Sequence, residues 1–111
     1  GVQAAMGDQS YGVVDYWLSG IRETIRRHRE ELERLPDAGA RATRVVELNV
    51  LRQLYNLACT PVVQRAWKRG PRPLLHGLVY DLNDGLLQEL ALEVTSAEAA
   101  RARLDLAPRV G

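Results

Sequence analysis

The stretch LLHGLVYDLNDGLL, residues 74–87, governs the architecture expected of this chain. From Leu74 to Tyr80 apolar groups fall on both sides of an extended backbone, interrupted only by His76 and Gly77. Coming after the breakers Pro71 and Pro73, such a run reads as an interior strand of a parallel sheet, buried on both faces. Asp81 to Gly85 contains the Asn-Asp-Gly turn signal. Leu86 to Val94 then alternates, with Leu86, Leu90, Leu92 and Val94 expected inward and Glu89 and Glu93 outward, as on a half-exposed antiparallel edge strand. An interior strand needs a hydrogen-bonded neighbour on each edge, because a buried unpaired amide or carbonyl costs about 1 to 3 kcal/mol. No other segment reads as a strand, and an isolated hairpin is marginal in water. The sheet is therefore expected to continue into polypeptide absent from this sequence, supplied by a missing N-terminal half or by a partner subunit.

Upstream of this stretch the period is helical. Val14, Leu18, Ile21, Ile25, His28, Leu32 and Leu35 form one stripe, with Arg and Glu on the other sides, so a single helix is expected up to the breakers Pro36 and Gly39. The stripe suits packing against a domain better than a free zipper, since it is short and carries His28 in its middle. A second helix is expected from Arg41 to Ala58, with Val46, Val50, Leu54 and Leu57 on one line and Leu51, Tyr55 and Ala58 beside it. Thr60 and Pro61 read as N-cap and first residue of a third helix, ending at Arg69 with Gly70 as a left-handed terminator. Thr95 with Glu98 forms a capping box, so a last helix is expected from Ser96 to about Leu106, stopped by Pro108.

Composition narrows the class. The chain has 111 residues, 46% hydrophobic and 26% charged, with 15 basic against 14 acidic residues. That balance argues for one globular domain or part of one and removes the usual electrostatic case for nucleic acid, although nearly all the basic residues are Arg. Carboxylates at Glu23, Glu30, Glu31, Glu33 and Asp37 dilute the Arg-rich region. No run approaches the roughly 20 apolar residues of a membrane span. The single cysteine, Cys59, forms no internal disulfide, which makes a reducing cytoplasm the default location. Gly1 opens the sequence with no secretory signal and the only methionine is Met6, so the chain is expected to begin mid-protein.

Four stretches then carry a family resemblance: GVQAAM at 1–6, ELNVLRQLYNL at 47–57, AWKRG at 66–70 and HGLVYDLNDGLL at 76–87. In order and spacing, from Gly1 to Thr95, they resemble the C-terminal half of a β-class carbonic anhydrase. The resemblance implies an α/β fold with a parallel sheet and an antiparallel edge strand, assembly into homo-oligomers, and reversible zinc-dependent hydration of carbon dioxide to bicarbonate. It implies zinc ligands in CxDxR and HxxCGG motifs, with the Asp and Arg of the first motif controlling access to the metal. None of these occurs in this sequence, and Gly1, Val2 and Gln3 resemble the stretch just after HxxCG. Since zinc brings the pKa of its bound water to about 7 and so makes hydroxide at neutral pH, a chain without the metal has no nucleophile. The resemblance also assigns Tyr80 a place in an anion site for regulatory bicarbonate, with Trp and Arg companions lying upstream of this chain.

The remaining candidates have plainer readings. Cys59, His28 and His76 lie on three elements without metal-ligand spacing, and are expected to be a small core residue, a packed histidine and a structural strand histidine. No catalytic or metal residue is therefore assigned, and Tyr80, weighed against a merely buried tyrosine, is the one candidate site residue. Asp81, Asn83 and Asp84 read as turn residues rather than a cation loop. Trp17 and Trp67 read as core or interface anchors. Residues 1–111 are expected to form one partial domain, inactive by itself. The alternative is a non-enzymatic oligomerisation module derived from the same fold; an Arg-rich helix for nucleic acid ranks below both.

Overall fold

A computed structural model describes residues 1–7 and 12–105, except for the side chain of Trp17. The elements run α1 (Val2–Met6), α2 (Val14–Arg27), α3 (Arg29–Glu33), α4 (Ala38–Ala58), α5 (Pro61–Arg69), β1 (Leu75–Tyr80), β2 (Leu87–Val94) and α6 (Ala97–Leu104). They form two compact units, Gly1–Asn49 and Val50–Gly111, with the boundary inside α4.

In the first unit α1 lies on α2, and the expected stripe faces inward through Leu18 and Leu32, with Ile21, Ile25 and Leu35 half-buried, whereas Val14 at its start is exposed. The helix expected to run unbroken to Leu35 instead breaks at His28, whose φ of −111° and ψ of 21° leave the helical region. Pro36 does precede a new helix, but Gly39 sits in the first turn of α4 rather than ending the previous one. The reason is Asp37, whose Oδ1 accepts the Ala40 N–H at 2.8 Å and satisfies a donor that the helix start leaves open.

Along α4 the buried apolar residues are Val45, Leu48, Leu51, Leu54 and Ala58. This line is rotated from the expected one: Val46 and Val50 are half-buried and Leu57 is exposed. Arg44 and Glu47 are buried beside it, a placement that apolar periodicity does not register.

The second unit begins on the same helix. Thr60 is extended and Pro61 opens α5 as expected, but the Thr60 hydroxyl donates back to the Leu57 carbonyl at 2.8 Å and caps nothing ahead. Gly70 is extended at φ 167° instead of left-handed. Trp67 is half-buried, and its indole N–H donates to the Pro73 carbonyl at 2.8 Å. At the far end Ser96 replaces Thr95 as the cap of α6: its Oγ accepts the Ala99 N–H at 3.0 Å. Leu106 and Pro108, expected to end that helix, lie outside the described residues.

Strands β1 and β2 pair antiparallel, with Tyr80 opposite Leu87, Leu78 opposite Glu89, Gly77 opposite Ala91 and Leu75 opposite Val94. The partners of Leu75 and Gly77 are three positions apart on β2, and those of Gly77 and Leu78 are two positions apart, so β2 carries two bulges. Each bulge turns the following side chain over. Leu90, Ala91 and Val94 are consequently buried together, whereas Leu86 and Leu92, expected inward, are exposed. Glu93 occupies the second bulge at φ 52°. On β1, Leu75 and Gly77 are buried and His76, Leu78 and Tyr80 are exposed, so these residues cover one face of the strand rather than two. Gly77 lets the sheet approach α4: a Cβ there would stand 3.3 Å from Val50 Cγ1 and 3.7 Å from Leu54 Cδ2. Among the described residues the sheet has two strands, and the edge of β1 away from β2 has no partner.

Candidate functional site

The exposed side of β1 and the turn beyond it hold the one site residue assigned from sequence. Tyr80 ends β1 with its side chain exposed, so the alternative of a buried tyrosine does not hold. Its hydroxyl lies 3.6 Å from the position a Cβ would take on Gly85, which adopts φ 70° at the close of the turn. That turn is internally tied. Asp81 Oδ1 accepts the Asn83 N–H at 2.8 Å, Asp84 Oδ1 accepts the Leu86 N–H at 2.9 Å, and the Asp81 N–H donates to the Leu86 carbonyl at 3.0 Å. Asp81 and Asp84 thus spend carboxylate oxygens on the backbone, as expected of turn residues.

The three candidate metal donors are differently occupied. His76, expected on a buried face, is exposed, and its Nδ1 accepts the Glu93 N–H at 3.3 Å, a bond made possible by the bulge that turns Glu93 toward it. Cys59, expected in the core, is exposed just past α4. His28 is largely buried, with Nδ1 at 3.5 Å from Glu31 Oε2, while its Nε2 is buried with no hydrogen-bond partner among the described residues. Among the described residues no group of three or more His, Cys, Asp and Glu side chains is gathered where it could hold a metal ion.

What sequence reading missed is an ionic cluster in the first unit. Arg44 Nε lies 2.5 Å from Glu31 Oε1, and Arg44 Nη1 lies 3.1 Å from Glu47 Oε1. Glu31 also faces His28, so one carboxylate ties the start of α3 to α4. The available signal was the spacing of Arg44 and Glu47 by one helical turn, but the same spacing also occurs on solvated faces. Farther along α2, Glu23 takes hydrogen bonds from Arg26 and Arg27 at 2.6 and 3.0 Å. The Arg26 hydrogen bond first, then that of Arg27, holds the Glu23 carboxyl below its ordinary value. No helix among the described residues is long and apolar enough to cross a membrane.

Comparison with known proteins places this arrangement. The family model for carbonic anhydrase matches residues 1–87. The carbonic anhydrase of Emericella nidulans is 40% identical over 93 residues, which are 84% of this chain and 41% of that protein. The β-carbonic anhydrase CafA of the fungal pathogen Aspergillus fumigatus superposes with a TM-score of 0.74 at 36% identity, over 93% of this chain and 48% of that one. A Coccomyxa β-carbonic anhydrase in complex with acetazolamide gives 0.81 at 35% identity, over 91% and 46%. A tetrameric β-carbonic anhydrase of the ascomycete Sordaria macrospora gives 0.71 at 31% identity, over 80% and 45%. The chain spans less than half the length of each of these relatives. With the family match covering most of its length and these structures superposing at 31–36% identity, the chain belongs to the β-class carbonic anhydrases and carries part of their α/β fold.

Proposed function

We propose that residues 1–111 are one partial domain, the C-terminal half of a carbonic anhydrase, and that the intact protein reversibly hydrates carbon dioxide to bicarbonate at a zinc ion. The observation that carries this reading is the unbroken family match over residues 1–87, which crosses the boundary between the two units. The CxDxR and HxxC motifs that hold zinc in the family are not among these residues. The chain alone is accordingly inactive, and its contribution is the sheet edge and the helical support.

Two measurements test this: metal content and the rate of carbon dioxide hydration. The isolated chain is expected to hold no stoichiometric zinc and to match a denatured control. The same chain joined to an N-terminal half bearing both motifs is expected to gain zinc and activity. A zinc-replete, active preparation of the isolated chain overturns the reading.

Within the intact enzyme Tyr80 contributes to an anion site for bicarbonate, a role supported by its exposed side chain and the position of its hydroxyl beside the turn. Tyr80→Phe should blunt the response to added bicarbonate while leaving zinc content unchanged. An unaltered response removes Tyr80 from the site.

The intact protein forms homo-oligomers, a reading supported by the apolar side chains of Leu78, Leu82, Leu86, Leu87 and Leu92 exposed on the hairpin and by the tetrameric Sordaria relative. The exposed thiol of Cys59 suits a reducing, cytoplasmic setting. The same apolar hairpin favours the second reading, an association module without catalysis. Discrete assembly of a joined protein that still takes up no zinc would select it.

A further inference from the structure

The break at His28 opens a depression of about 480 Å³ along α2 and α3, with Arg26 and Arg27 before the break and Arg29 and Arg34 after it. Two carboxylates, Glu30 and Glu31, also line it. The charges do not cancel in place. Glu31 is drawn away by Arg44 at 2.5 Å and by His28. Arg26 and Arg27 share one carboxylate, that of Glu23, at 2.6 and 3.0 Å, which leaves two cations on one anion. The guanidinium groups of Arg29 and Arg34 make no hydrogen bond or ion pair among the described residues. Glu30 is the one carboxylate of the lining left to oppose them.

We infer that this depression binds a compact polyphosphate, of which inorganic diphosphate is the simplest. Guanidinium groups meet phosphate oxygens in parallel pairs of charge-assisted hydrogen bonds. Several of them around one depression favour a multiply charged anion over a monoanion such as bicarbonate or chloride. The lining has no Trp, Tyr or Phe on which a nucleobase could stack, so the phosphate chain itself is the group recognised. The inference is independent of the carbonic anhydrase reading, which uses none of these side chains.

The test is a titration of the 111-residue chain with inorganic diphosphate, orthophosphate and bicarbonate, followed by calorimetry and by the side-chain NMR signals of the arginines. Diphosphate should bind saturably and more tightly than the other two, and weaken as salt rises to about 0.15 M. Arg29→Gln with Arg34→Gln should weaken diphosphate on the order of tenfold, and Glu30→Gln should tighten it by about threefold. Because these variants act with opposite sign, a general loss of structure does not reproduce the pattern. Non-saturable binding, equal affinity in the double variant, or weaker binding by Glu30→Gln overturns the proposal.

Discussion

Arg44 and Glu31 meet at 2.5 Å across the link between α3 and α4, and the same guanidinium reaches Glu47 at 3.1 Å. Arg44 and Glu47 are both buried, so replacing Arg44 with Met strands a carboxylate away from water. Loss of one member of a buried pair costs about 3 to 5 kcal/mol. Urea denaturation of Arg44→Met should show a lower midpoint at unchanged slope. Arg44→Lys keeps the charge but not the fork, and should fall between the variant and the natural chain.

Gly77 faces Val50 at a distance that leaves no room for a methyl group without adjustment: 3.3 Å from a built Cβ to Val50 Cγ1. Gly77→Ala should destabilise by about 1 to 3 kcal/mol through overpacking. Combining it with Val50→Ala should recover part of that loss, because the second change removes the clashing methyl. A double-mutant cycle measures the coupling, and strict additivity would show that the two do not compete for space.

Ser96 and Thr95 separate two ways of starting α6. Only the Ser96 hydroxyl accepts the Ala99 N–H. Ser96→Ala should cost about 1 kcal/mol, and Thr95→Ala should fall well below that. Thermal unfolding of the two variants distinguishes them.

Glu23 carries a pH dependence of defined sign. Its folded carboxyl is depressed below 4.5 by hydrogen bonds from Arg26 and Arg27. The stabilisation is therefore fully present above the unfolded value and is lost as pH falls through the lower folded value. An NMR titration should give a Glu23 midpoint below 4.5 that returns toward it in Arg26→Gln and at high salt. This pair is exposed, so its effect on global stability should be small.

The hairpin shows how far sequence reading reached. The turn from Asp81 to Gly85 was legible because its carboxylates and its φ of 70° at Gly85 are local matters. The inward residues of β2 were not. Alternation assumes a regular ladder, and two bulges exchanged Leu92 for Ala91 on the buried face. Cys59 and His76 were misplaced for a related reason: composition predicts their average burial, whereas the end of α4 and the exposed face of β1 set it here. For Tyr80 the motif singled out the residue, and only the structure showed its side chain exposed.

By itself the sequence determined the end of α4 at Ala58, the Pro61 start of α5, the turn and the family, since each depends on local backbone preference or on residue identity at fixed spacing. Tertiary structure alone decided the break at His28, the burial of Arg44 and Glu47, and which strand faces are covered. Those depend on what stands opposite each side chain: a charged group enters the interior only where an opposite charge awaits it, and a strand turns a residue inward only where its partner's register permits.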